Sequence, residues 1–125
     1  MPRVLIADDE EAMRTLVARA IAMDGHVTVT AQDGAEALEI LTRENGAFDL
    51  LLTDIKMPVM DGIALALAVA RDFPDLTILL MTGFADQRER AHGLNAIVHD
   101  VVTKPFSVAD IRTAVADALA AKKGG

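Results

Sequence analysis

Five short apolar runs alternate with five stretches of helical character, and this alternation leaves the 125-residue chain few ways to fold. The runs predict strands over Arg3 to Ala7, His26 to Thr30, Phe48 to Thr53, Leu76 to Met81 and Ile97 to Val102. Leu50-Leu51-Leu52 and Ile78-Leu79-Leu80-Met81 are continuous, as expected of parallel strands covered on both faces. His26-Val27-Thr28-Val29-Thr30 instead alternates polar and apolar, which suits an edge strand. The pattern predicts an α/β fold: a doubly wound, five-stranded parallel sheet between two helical layers, a three-layer sandwich.

The helical stretches carry their own punctuation. Met13, Leu16, Val17, Ala20 and Ile21 form one stripe at helical spacing, and Asp24-Gly25 supplies a stop. Asp33-Gly34 opens the second helix, Asp61-Gly62 opens the third, and Phe73-Pro74 ends it. The fourth, near Asp86 to Leu94, offers little apolar surface and contains Gly93, so it is expected to pack weakly. In the last, Val108, Ile111, Val115, Ala118 and Leu119 make the buried stripe, and Ser107 with Asp110 resembles a capping box with a shorter acid. Residues 1–121 then form one domain, and 122–125 read as a disordered tail.

Composition narrows the function. The chain has no cysteine, which removes disulfides, thiol nucleophiles and thiolate metal sites. A net charge of −7 with no basic patch argues against nucleic acid as partner. No apolar stretch approaches the roughly 20 residues of a membrane span, so no membrane partner and a cytoplasmic location are expected. His26, His92 and His99 are dispersed, without metal-ligand spacing.

Polar residues stand where the apolar runs stop: Asp8 and Asp9, then Asp54, Thr82 and Lys104. An open parallel sheet binds ligands outside the carboxyl ends of its strands, and the flavodoxin-like order 2-1-3-4-5 brings these ends together. Three carboxylates in one pocket repel until a divalent cation compensates them, and Mg²⁺ favours carboxylates, waters and a phosphate. A carboxylate is also a competent nucleophile toward phosphorus, with a lysine and a hydroxyl to hold the transferred oxygens. Singly, each residue has a plainer explanation: Asp8, Asp9, Glu10 and Glu11 as a helix cap, Asp54 in a turn, Thr82 at a strand end, Lys104 solvated. Their joint placement favours a site.

Val4-Leu5-Ile6-Ala7-Asp8-Asp9-Glu10, Leu52-Thr53-Asp54-Ile55-Lys56-Met57-Pro58 with Met60-Asp61-Gly62, Met81-Thr82-Gly83 and Thr103-Lys104-Pro105-Phe106 together resemble the receiver domains of two-component response regulators. The resemblance implies that Asp54 is the phosphoacceptor, that Asp9 ligates Mg²⁺ directly and Asp8 through water, and that the Lys56 carbonyl completes the protein ligands. It also implies that Thr82 and Lys104 bind the phosphoryl group and that the Lys104 to Pro105 peptide is cis. A histidine kinase or histidine phosphotransfer protein would be the donor, docking on Ala12, Met13, Arg14 and the loop after Lys104. The chain would be no enzyme beyond its own Mg²⁺-dependent phosphorylation and dephosphorylation, and a monomer. Met81-Thr82-Gly83-Phe84 and the alanine-rich end look most like the stand-alone CpdR type, which implies a ClpXP-type protease as downstream partner.

One position departs from the family. Three residues before Lys104, where an aromatic side chain commonly swings inward, stands Val101, and the chain has no Tyr or Trp. With so short a lever, Phe84 and the fourth helix are expected to carry the signal. Arg88, Arg90 and Arg112 read as an output face or as solvated charge. The rival function is a binding module that keeps the fold without using phosphate. A haloacid-dehalogenase-like phosphatase would need Asp-x-Asp at the first strand, which Asp8-Asp9-Glu10 does not supply.

Overall fold

The computed structural model describes residues 1–83, 89–91 and 93–124, the side chains of 122–124 excepted. In chain order it contains β1 (Arg3–Ala7), α1 (Glu11–Ala22), β2 (Val27–Ala31), α2 (Gly34–Arg43), β3 (Leu50–Asp54), α3 (Gly62–Asp72), β4 (Thr77–Thr82), β5 (Asp100–Thr103) and α4 (Val108–Gly124). The sheet is parallel throughout, in the order β2-β1-β3-β4-β5. The doubly wound fold and the edge position of β2 are as the sequence predicts.

The period of two in the strands explains the layers. Leu5, Ala7, Leu51, Ile78 and Leu80 meet α2 and α3 on one face, while Val4, Ile6, Leu50, Leu52, Leu79 and Met81 meet α1 and α4 on the other. Leu5, Ile6, Leu50, Leu51, Leu52, Ile78, Leu79 and Leu80 are all fully buried. At about 1.5–3 kcal/mol for each such side chain, β1, β3 and β4 are held firmly in register, and so are the residues at their ends.

The helix signals hold. Asp33 accepts from the Glu36 amide, Asp61 from the Ala64 amide, and Ser107 and Asp110 exchange reciprocal bonds of 3.0 Å. Gly25, at φ 82, turns the chain after α1.

Several boundaries differ from expectation. Phe48 precedes β3, buried in a loop where the Arg3 guanidinium lies 4.3 Å from its ring centroid. Ile97 and Val98 belong to a turn whose amides both reach the Leu94 carbonyl, so β5 starts only at Asp100. Leu16 is 45% exposed because it sits on the flank of the stripe that Val17, Ala20 and Ile21 bury, and Val108, at the first position of α4, is 38% exposed. The final helix spans Val108–Gly124. Of the expected fourth helix, residues 89–91 are helical and 93–97 form turns; the rest lies outside the described residues. No helix among the described residues is long and apolar enough to cross a membrane.

Candidate functional site

The parallel register brings the carboxyl ends of four strands to one level: Ala7 pairs with Thr53, Asp54 with Met81, and Thr82 with Thr103. Asp8 and Asp9 follow β1, Asp54 ends β3, Thr82 ends β4 and Lys104 follows β5. All five converge on that edge. Asp8 and Thr82 are fully buried, Asp54 is nearly so, and Asp9 is exposed.

One carboxylate oxygen from each of Asp8, Asp9 and Asp54 lies within 4.8 Å of the others. Lys104 Nζ stands 3.3 Å from Asp54 Oδ2 and 3.7 Å from Asp8 Oδ2. Asp54 Oδ1 accepts from the Ile55 amide at 2.9 Å, and Asp8 Oδ1 accepts from the Glu10 amide at 3.0 Å. Asp8 Oδ2 is buried with no hydrogen-bond partner, and Lys104 lies too far to donate to it. The cap explanation for the acid cluster is thereby weakened, since Glu10 at the α1 N-cap makes no side-chain capping bond and Asp8 turns into the site.

Burial pushes the Asp8 carboxyl above its ordinary 3.8; the Glu10 amide and Lys104 pull it down, and the charges of Asp54 and Asp9 add to the rise. Asp54 is likewise raised by burial, against the pull of Lys104 and the Ile55 amide. A buried carboxylate oxygen without a hydrogen-bond partner, beside two further carboxylates, fits a hard divalent cation, and an all-oxygen donor set suits Mg²⁺ rather than a soft metal. Such an ion would lower both carboxyls by supplying the missing charge.

The loop carrying Asp54 is fixed from several sides. Thr53 Oγ1 donates to the Asp54 carbonyl at 2.9 Å, and Gly62 N donates to the Ile55 carbonyl at 2.8 Å. A Cβ on Gly62 would collide with the Asp54 carbonyl oxygen, and one on Gly34 would collide with the Met60 carbonyl oxygen. Between them, Met60 N bonds the Pro58 carbonyl at 2.7 Å around Val59, whose φ is 68. That is a γ-turn of the rare, strained hand, with the Val59 side chain 84% exposed.

This geometry has counterparts among known proteins. Residues 4–116 match the response regulator receiver domain. The chain belongs to this family. Response regulator MprA of Mycobacterium sp. (strain KMS) is 33% identical over 109 residues, covering 87% of this chain and 46% of MprA, so the receiver spans less than half of that relative. The CheY-like receiver domain protein of Methanospirillum hungatei JF-1 superposes with a TM-score of 0.89 at 27% identity, covering 99% of this chain and 98% of that one. Response regulator TrrA of Thermotoga maritima, solved in complex with Mg²⁺-BeF, has a TM-score of 0.82 at 28% identity and covers 94% and 98%.

The remaining residues named from the sequence fall variously in this receiver. Lys56 lies in the loop after Asp54, two residues on. The Lys104 to Pro105 peptide is cis. Val101 pairs with Leu80 and packs half-buried on the α2 and α3 side of the sheet. Phe84, Arg88 and His92 lie outside the described residues. Arg90 pairs with Asp61 and Arg112 with Asp24. His99 Nε2 lies 3.0 Å from Asp117 Oδ2, away from the site. Sequence reasoning passed over the Thr53 hydroxyl and gave Arg14 only an exposed role; Arg14 Nη1 in fact donates to the Asp8 carbonyl at 2.8 Å. Its place in the first turn of α1, close after Asp8, was the available signal.

Proposed function

We propose that this receiver is a phosphorylation-driven switch: it takes a phosphoryl group from a phosphohistidine donor on Asp54 and signals by binding a protein partner that distinguishes the two states. The observation behind this reading is the buried Asp8 Oδ2 without a hydrogen-bond partner, beside Asp9 and Asp54 and facing Lys104. A purely structural cluster leaves no reason for that arrangement.

In the reaction, a carboxylate oxygen of Asp54 attacks phosphorus, the bond from phosphorus to the donor imidazole nitrogen breaks, and the imidazole keeps the electron pair. Bound Mg²⁺ supplies charge neutralisation on the phosphoryl oxygens. Asp8, Asp9, Asp54 and the Lys56 carbonyl would hold that ion. Lys104 neutralises a phosphoryl oxygen from the other side, and the Thr82 hydroxyl donates to another. The Ile55 amide bond to Asp54 Oδ1 orients the carboxylate before the donor arrives.

The partner is defined here by what it must sense, a dianion on Asp54 and the rearrangement around it. Neither MprA nor TrrA is described as a protease adaptor, so the comparisons give no support to the CpdR-like role, which has only Met81 to Phe84 and the chain end behind it. The short Val101 is what favours the rival, phosphate-independent module.

The test is intact-protein mass after incubation with Mg²⁺ and acetyl phosphate, wild type against Asp54→Asn. A phosphoryl adduct on wild type alone supports the switch. No adduct with either acetyl phosphate or a phosphorylated histidine kinase would leave the phosphate-independent module as the function.

A further inference from the structure

The Asp54 loop and the segment between β4 and β5 are joined by an ion pair that the sequence does not reveal. Arg90 Nη2 donates to Asp61 Oδ2 at 2.9 Å, while Asp61 Oδ1 caps α3 on the Ala64 amide at 2.8 Å. The two oxygens of one carboxylate therefore serve two different elements. Burial alone would raise the Asp61 carboxyl, but the Ala64 amide and Arg90 outweigh it and hold it below 3.8, so it stays ionised at neutral pH.

We propose that Arg90 is a positioning residue for the phosphoacceptor loop, tying the resting place of residues 89–91 to the resting geometry around Asp54 through Asp61. The proposal deepens the switch reading and rests on it. Phosphorylation and release of this segment then favour one another, because each weakens what holds the other in its resting state.

Three observations support it. Gly62, adjacent to Asp61, has no room to move toward Asp54: its amide is bonded to Ile55, and its Cα face abuts the Asp54 carbonyl. A displacement at Asp61 is therefore passed to the acceptor rather than absorbed by the loop. Among the described residues 89–91, Ala91 is buried while Glu89 and Arg90 are exposed, so the contact of Arg90 with Asp61 weighs in their position. Finally, Val101 lies on the opposite edge of β4 from Asp54, in β5, and is too short to reach across, which leaves the Asp61 link as a connection that needs no aromatic lever.

The pair is half-exposed, with side-chain accessibilities of 53% and 30%, so its removal should shift the resting equilibrium by about two- to five-fold. The experiment compares the full chain with Arg90→Ala, Arg90→Lys, Asp61→Asn and the double variant Arg90→Ala/Asp61→Asn. Asparagine keeps a capping oxygen for α3 and removes only the charge. Initial rates of acetyl-phosphate phosphorylation with Mg²⁺ are read by intact mass, and amide exchange of residues 93–98 is read before donor is added.

The expected result is a rise of about two- to five-fold in both readouts for each charge-removing single variant, no further rise in the double, and near-wild-type behaviour for Arg90→Lys. Unchanged or slower phosphorylation and unchanged exchange in Arg90→Ala would overturn the proposal, as would effects of the two single variants that simply add. If wild type takes up no phosphoryl group, the switch reading is what has failed. Amide exchange then decides the link alone, and equal exchange in wild type and Arg90→Ala refutes it.

Discussion

Lys104 Nζ stands 3.3 Å from Asp54 Oδ2, and the same ammonium lies 3.7 Å from Asp8 Oδ2, so one cation faces two buried carboxylates. Lys104→Met would leave both without that charge while keeping most of the side-chain volume. In Mg²⁺-free buffer at pH 7.5 the variant should lose about 1–3 kcal/mol in urea unfolding, the usual range for a buried charged group left without a partner. Unchanged stability would mean that solvent, not Lys104, screens the pair.

Asp8→Asn should act in the opposite direction. Burial and the neighbouring charges of Asp54 and Asp9 disfavour the ionised Asp8, so a neutral isostere relieves the resting protein and raises its Tm without metal. Mg²⁺ should then raise the Tm of wild type, with about 1.4 kcal/mol of stabilisation for each tenfold excess over Kd, and raise that of the variant far less. Scanning calorimetry across a Mg²⁺ series checks both parts. Equal Mg²⁺ shifts in the two proteins would remove Asp8 from the metal site.

The raised carboxyls also fix a pH dependence. A group whose folded pKa lies above its ordinary 3.8 contributes stability that is full below 3.8 and lost as pH rises through the folded value, and Asp8 and Asp54 are both of this kind. Asp61 is the reverse: its contribution is present above 3.8 and lost as pH falls through its lowered value. Without Mg²⁺, Asp54→Asn should therefore exceed wild type in stability most at neutral pH, and the gap should close as pH falls toward 3.8. A gap that stays constant over that window would contradict the burial of Asp54.

The site was legible because its residues share one sequence property: each stands where an apolar run stops, and parallel strands put such positions side by side. Asp54 and Thr82 end their strands, while Asp8 and Lys104 come directly after theirs. The boundaries were less legible. Ile97 and Val98 are as apolar as any strand residue, but Val98 is buried and Ile97 half-buried from a turn around Leu94, and hydrophobicity alone does not separate the two cases. Leu16 fits the helical period as well as Val17 does, and only the width of the groove above the sheet decides which is covered. Pairs such as Arg112 with Asp24 and Arg90 with Asp61 join residues distant in sequence, where charge patterning gives no signal. The expected role of Phe84 lies outside the described residues.

Gly62→Ala separates backbone propensity from packing. Gly62 begins α3, where alanine is favoured by about 1 kcal/mol on helix propensity alone. The added Cβ would collide with the Asp54 carbonyl oxygen and press on Ile55 Cα, backbone groups at and just past the buried end of β3. Overpacking of this kind costs about 1–3 kcal/mol, so the net effect should be destabilising, with slower phosphorylation of Asp54. A more stable variant would show that the acceptor loop is looser than its contacts indicate.

Val59→Asn tests whether the acceptor loop stores strain. Val59 sits at φ 68, at the centre of the γ-turn, with its side chain 84% exposed. A β-branched residue at such a positive φ costs about 1–3 kcal/mol, and the smaller, unbranched asparagine costs less. The flanking bonds, Met60 N to Pro58 O and Gly34 N to Met60 O, are all backbone and survive the change. The variant should therefore be more stable by about 0.5–1 kcal/mol, a fraction of that cost, since asparagine is not wholly free of it. If the strain also sets the position of the Asp54 carboxylate, the acetyl-phosphate rate should change together with the stability; if it does not, stability alone should move. Urea unfolding and intact-mass kinetics on the same preparation separate the two, and a loss of stability would mean that the valine side chain makes a contact its exposure denies.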